Sequence, residues 1–393
     1  MFLDAGLRVQ NFLLGPVKTS REIWIHGPRW DLIWIFPGIW LFPIVLLLDD
    51  LNPIYATGVF LFWIGHRISS LYLGWFSKSY RPIVFNQPFR FIIIPGSVFF
   101  IVGLWVMLPE TLLPLSLSIR LISLAILDYF WGIYHFASQH YGMLRLYRQL
   151  DPKSGNCSER IIDRWYSIGL GGGLVMLAEV LHGTAILQEI WSVNLFSSAF
   201  LENQQKFLQL GLVFSICCMM LMLYTEFRSG GNLPRVFYLM QIGIMVSAAF
   251  ILDPFRFLIL WTIQHWMVSV GLVSYLGAND RKMLSEESLP ILRFFELHSQ
   301  WRVLILLCVL SIVMTPFMEV EALSVESSYS AQWWPEWWNW MQEQSWLPIL
   351  FVIGFSSGFI HYLMDRAVFR FSNPQTKSVL TKLLDYDRNC LST

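Results

Sequence analysis

Long apolar stretches recur along this chain from about Trp30 to Met364, each close to the length one helix needs to cross a bilayer. A hydrocarbon core about 30 Å thick takes roughly 20 mostly apolar residues, with a range of about 17 to 25. On that measure spans fall near residues 30–48, 54–75, 89–108, 116–143, 166–187, 207–224, 235–252, 255–276, 301–318 and 347–367. Backbone groups in lipid must bond within their own segment, so the stretches read as helices. The fold class is all-α: a polytopic membrane helix bundle of about ten transmembrane helices. Charged residues make up 14% of the chain, against roughly 25% in soluble domains, and the apolar blocks leave no room for a large soluble domain. The organisation expected is a cytoplasmic N-terminal segment (1–29), a single transmembrane domain (30–370) and a short cytoplasmic tail (371–393).

The loops provide an independent test, because Lys and Arg accumulate in short cytoplasmic loops. Basic segments contain Arg8, Lys18, Arg21 and Arg29; Lys78 and Arg81; Arg145, Arg148, Lys153, Arg160 and Arg164; Arg228 and Arg235; Arg281, Lys282 and Arg293; and the tail from Arg366 to Arg388. The loops between them carry Asp49 and Asp50, Glu110, Glu189 and Glu202, Asp253, and the glutamates between Glu319 and Glu343. This alternation puts both termini in the cytoplasm. It depends most on the turn at Asp253-Pro254, where very few residues must reverse the chain. The outer loop 319–346 is rich in tryptophan, including Trp337, Trp338 and Trp340, and is expected to hold a short helix on the membrane surface.

Equal numbers of acidic and basic residues, 27 each, offer no nucleic-acid surface. Five cysteines, an odd number with no Cys-x-x-Cys pair, do not form a disulfide framework. The first thirty residues lack the continuous apolar core of a signal peptide, so insertion is expected to begin at an uncleaved span.

Ionisable groups at membrane depth cost several kcal/mol unless they have partners, so each is a functional candidate. Spans two, four, eight and ten run in the same direction, and a rise of ~1.5 Å per residue converts position into depth. His66, His135, His361 and Asp365 then fall in one layer of the bundle, roughly 18 to 27 Å from the outer boundary, with His265 just above at roughly 15 Å. These five are the expected metal ligands. Helical phase puts Asp365 on the face of His361, and Asp128 and Gln139 on the face of His135, while His140 points elsewhere. Asp128, Gln139 and His140 are therefore candidates for orienting the ligands or holding a second metal. Glu179 and His182, which have the Glu-x-x-His spacing of di-metal carboxylate helices, are candidates for the same roles, although they lie in the outer half. For any one of these histidines, a hydrogen-bonded packing role is the simpler alternative. Arg366 and Arg370 follow Asp365 and either snorkel to the headgroups or bind a substrate headgroup; Arg67, beside His66, has the same two readings.

This plan resembles that of membrane-bound fatty-acid desaturases and hydroxylases and of the polytopic carotene-cleaving oxygenases. Their His-x-x-x-His and His-x-x-His-His boxes do not occur here, so no residue is carried across. The Trp-His-Gly signature of membrane-bound O-acyltransferases is present only as the fragment His182-Gly183. The function expected is a multi-pass cell-membrane oxygenase (in the inner membrane, for a bacterium). A mixed His and carboxylate set points to non-haem iron acting on an acyl or isoprenoid chain. An electron-donor protein would dock on the cytoplasmic side. Three alternatives use the same residues differently: a transporter or proton-coupled permease with a His/Asp relay, an electron carrier with haem between two histidines, and an acyltransferase with one buried histidine as base.

Overall fold

The computed structural model describes residues 23–48, 65–150, 157–191, 198–283, 299–318 and 335–390. Most of the expected span 54–75, Trp333, Trp334 and the glutamates of 319–334 lie outside these residues. Every element within them is a helix: α1 (Pro28–Ile35), α2 (Pro37–Leu46), α3 (65–76), α4 (Arg81–Asn86), α5 (Phe89–Met107), α6 (Leu117–Gln149), α7 (Cys157–Arg164), α8 (165–191, its first part Trp165–Gly172 wound more widely), α9 (Ser198–Arg228), α10 (Leu233–Ile251), α11 (Pro254–Lys282), α12 (Gln300–Met318), α13 (Pro335–Gln342), α14 (Leu347–Val368) and α15 (Pro374–Cys390). The all-α reading holds.

Six of these are long and apolar enough to cross a membrane: α5, α6, α9, α10, α11 and α14. The pair α1 and α2, bent by 47°, makes a seventh if counted as one span. Helices of this length and composition suggest a multi-pass membrane protein. The stretches expected at 166–187 and 301–318 are helical but are not among the six; the apolar part of α12 is the shorter Gln300–Thr315. Burial separates the spans into two kinds. In α11, 89% of the apolar window is covered by other parts of the chain, whereas in α9 only 17% is. Phe207, Leu210, Val213, Met220 and Leu221 of α9 point outward, as do Phe99, Phe100 and Ile101 of α5. An apolar helix that its own protein leaves uncovered is matched to lipid.

Contacts divide the chain into two compact units, Met1–Asp49 with Ile133–Gln264, and Asp50–Gly132 with His265–Thr393. In the first, the expected span 30–48 is not one straight helix. Pro37 cannot donate a backbone hydrogen bond, and the chain breaks at Phe36. The freed groups are taken up by Gln241 of α10, whose side-chain oxygen accepts from Gly38 N at 2.8 Å and whose amide donates to Ile35 O at 3.0 Å. Ahead of the break, the buried Asp31 accepts from Ile25 N, His26 N and the Tyr147 hydroxyl.

Further along the same unit lies a buried ion network. The Arg235 guanidinium donates to Asp163 at 2.6 Å and to Glu226 at 2.7 Å; Arg148 donates to Asp163 at 3.2 Å and to Glu159. Arg145 stands 3.9 Å from Asp163. Asn232 caps α10 by accepting from Arg235 N and donates to Tyr147 O. In the sequence Arg145, Arg148 and Arg235 read only as loop charges; the fold pairs them with Asp163 and Glu226. The short connection at Asp253 is in place: Leu252 and Asp253 alone separate α10 from α11, and Asp253 Oδ1 caps α11 by accepting from Phe255 N and Arg256 N.

The core of the second unit packs Val102 and Val106 of α5, Leu121 and Leu124 of α6 and Leu350, Phe355 and Phe359 of α14 against Trp338 and Met341 of α13. The tryptophan-rich segment ahead of α14 thus contains its short helix, with Trp338 buried and Trp340 exposed. Arg120 donates to the carbonyls of Trp105, Val106 and Leu108, filling acceptors that the end of α5 leaves open. Asp280 of α11 accepts from Lys78 N and Ser79 N, and the Tyr80 hydroxyl donates to Val368 O at the end of α14. Burial, with the Asp280 carboxylate nearby, pushes the Tyr80 phenol well above its ordinary pKa and keeps it a donor.

Candidate metal centre

In the second unit, three histidines from three helices meet. Residues 65–71 of α3 are helical and pass into a wide turn at Tyr72–Phe76, so His66 and Ser70, four apart, share a face. His265 stands on α11 and His361 in the second half of α14. The His66 ring lies 4.6 Å from that of His265 and 4.5 Å from that of His361, both in edge contacts, and the outer two rings are 6.5 Å apart. All three are buried. Tyr362 and Phe359 of α14 hold Trp131 of α6 against them, at 6.2 and 5.9 Å between ring centroids. His135 follows Trp131 by one turn of the same unbroken helix, and it completes a group of four buried histidines that offer ligand atoms within 4.8 Å of one another.

Such spacing fits a metal ion. Two imidazole nitrogens each about 2.0–2.1 Å from a tetrahedral ion stand about 3.4 Å apart, so side-chain adjustments of roughly an ångström bring the four into a coordination sphere. The Nδ1 of His361 lies 2.8 Å from the hydroxyl of the buried Ser70. With that nitrogen donating its proton to Ser70 Oγ, Nε2 becomes the basic nitrogen, the outer-sphere arrangement that orients metal-binding imidazoles. Asp365 Oδ2 is 3.7 Å from His361 Nε2, longer than a hydrogen bond and within the spacing of roughly 3 to 4 Å between two ligands of one ion. Asp365 thus stands beside His361 but is not a member of the four-histidine group.

The other residues singled out from the sequence go elsewhere. Asp128 faces Arg67 at 4.0 Å. Arg67 itself is fully buried and donates to Gly354 O and Ser357 Oγ on α14, so it neither snorkels nor meets a headgroup. This pairing corrects both expectations for Arg67, and it follows from small residues on α14: a Cβ at Gly358 would stand only 2.9 Å from Asp128 and 3.2 Å from Arg67. Gln139 is half-buried one turn beyond His135. His140 lies in the first unit with its Nδ1 2.9 Å from the Tyr238 hydroxyl. His182 is bound to Ala249 O, and it and the half-buried Glu179 are not members of the four-histidine group. Arg366 and Arg370 are exposed at the end of α14. Ser70 was missed, although its four-residue spacing from His66 was a signal that it shared that face.

No protein family, curated protein or solved structure matches the chain. The class of the protein therefore rests on its own helices and on this cluster.

Proposed function

We propose that the protein is a membrane-embedded, metal-dependent oxidoreductase acting on a lipid-soluble substrate, an acyl or isoprenoid chain. The observation that carries this reading is the four buried histidines with ligand atoms within 4.8 Å of one another. Neutral imidazole suits iron, copper, nickel or zinc, and the nearby Asp365 favours non-haem iron. Once bound, such an ion supplies one-electron chemistry that side chains alone do not have. The chain's own part is to hold four neutral rings at fixed spacing, to set the His361 tautomer through Ser70, and to keep water out with Phe359, Tyr362 and their neighbours. The electrons for turnover would come from a partner protein on the side of the basic loops. A haem fits less well, because the His66 ring stands within 4.6 Å of both His265 and His361 and fills the space that a porphyrin between that pair would need.

Metal analysis and an absorption spectrum of detergent-purified protein test the proposal. Stoichiometric iron without a Soret band is expected, and His66→Ala and His361→Ala should each reduce it at least tenfold while eluting as the same monodisperse species. Metal at background in the unaltered protein, or metal that survives both substitutions, removes the reading. The pairing of His361 with Asp365 would then favour a proton relay, the transporter alternative.

A further inference from the structure

A second polar site lies where α5 begins and α14 ends, and it is independent of the metal proposal. Arg90 donates from Nη2 to Arg366 O, in the last turn of α14, at 3.1 Å. Arg370 follows one turn later with its Nε on Ser372 Oγ, and the charges of Arg366 and Arg370 both act on Arg90. Among the described residues none of these three guanidinium groups has a carboxylate within ion-pair distance. Three cations gathered without an anion contrast with the network around Asp163, where each arginine has one.

The surroundings are two-faced. On one side Phe89, Ile92 and Ile93, at the start of the lipid-facing α5, and Phe85 of α4 are exposed apolar side chains. On the other, Gln87, Gln375 and Asn373 form a hydrogen-bonded set, with Gln87 donating to Gln375 at 2.7 Å and accepting from Asn373 at 3.3 Å. The simplest account of arginines at a helix end is that they complement its carbonyls. That account covers the bond from Arg90 to Arg366 O, but not the gathering of three like charges at one helix end, where Arg366 and Arg370 both act on Arg90. A phosphate group resolves the repulsion, since guanidinium is suited to paired hydrogen bonds with phosphate oxygens.

We infer that Arg90, Arg366 and Arg370 form a binding site for the phosphate of an anionic membrane lipid, with the acyl chains lying along Phe89, Ile92 and Ile93 and the headgroup hydroxyls toward Gln87 and Gln375. The site extends the headgroup role considered for Arg366 and Arg370 by adding Arg90 and naming the lipid class. Whether that lipid is substrate or a bound structural lipid, the recognition is the same.

The full chain, delipidated in detergent and reconstituted in nanodiscs of phosphatidylglycerol or of phosphatidylcholine, provides the test, with retained lipid counted by native mass spectrometry. The unaltered protein should retain phosphatidylglycerol at least fivefold over phosphatidylcholine. Arg90→Gln with Arg370→Gln should abolish the preference, while Arg228→Gln, an exposed arginine elsewhere, leaves it intact. Equal retention of the two lipids, or equal loss in the Arg228→Gln control, overturns the site. Millimolar inorganic phosphate that displaces phosphatidylglycerol completely assigns the arginines to a soluble phosphate and overturns the lipid. Because no metal enters the readout, failure of the metal proposal leaves this result unaffected.

Discussion

The two units handle buried polarity in opposite ways. Around Asp163 every charge faces an opposite one, and Arg235, Arg148, Glu226 and Glu159 form a closed set of ion pairs. Around His66 the neighbours are alike: imidazole meets imidazole, with one carboxylate at the edge. Complementary charges hold a structure together and leave little capacity for an incoming ligand. Similar donors pointed at one another confer little attraction, yet they make the arrangement that a metal ion uses. The contrast separates a structural polar cluster from a functional candidate without reference to any relative.

Replacing single members of each cluster can break this contrast. The largest loss of stability should come from Arg235→Ala, which removes the nearest partner of both Asp163 and Glu226 and leaves them to the more distant Arg148 and Arg145; up to about 3–5 kcal/mol is expected from breaking buried pairs in this way. Thermal unfolding in detergent should register it, and the protein that remains folded should keep its full metal content. A smaller effect, of a different kind, is expected from Ser70→Ala. Loss of the hydroxyl beside His361 Nδ1 should weaken metal affinity by about 10- to 100-fold, measured by chelator competition, with little change in unfolding temperature. A drop in stability as large as that of Arg235→Ala would erase the distinction. The smallest effect belongs to Glu159→Gln: its carboxylate is 29% exposed, so solvent already screens the pair with Arg148 and the cost should stay below about 1 kcal/mol.

The sequence carried a good part of this. Apolar length identified the helical class, and the six long helices together with the bent pair follow from it. Depth counting also found which histidines converge, because rise per residue is nearly constant in a helix and His66, His265 and His361 stand on segments expected to run the same way. The rotation of one helix against another is not written in that arithmetic. Arg67 shows why: its partners Asp128, Gly354 and Ser357 are up to 290 positions away, so a neighbour of His66 that looked bound for the headgroups is instead locked inside. Arg235 shows a second limit. Counting Lys and Arg by loop treats each as a free charge, and nothing in its local sequence discloses that Asp163 and Glu226 neutralise it.

The break at Phe36 has one more consequence. A kink in a membrane helix is commonly pictured as a pivot, loosened where the ladder of peptide bonds is interrupted. Here the side-chain amide of Gln241 occupies the gap as a substitute peptide, giving and receiving one bond each. The interruption is therefore a mortised corner: the chain changes course by 47°, and the Ile35 carbonyl and Gly38 amide on either side of the bend each keep a partner.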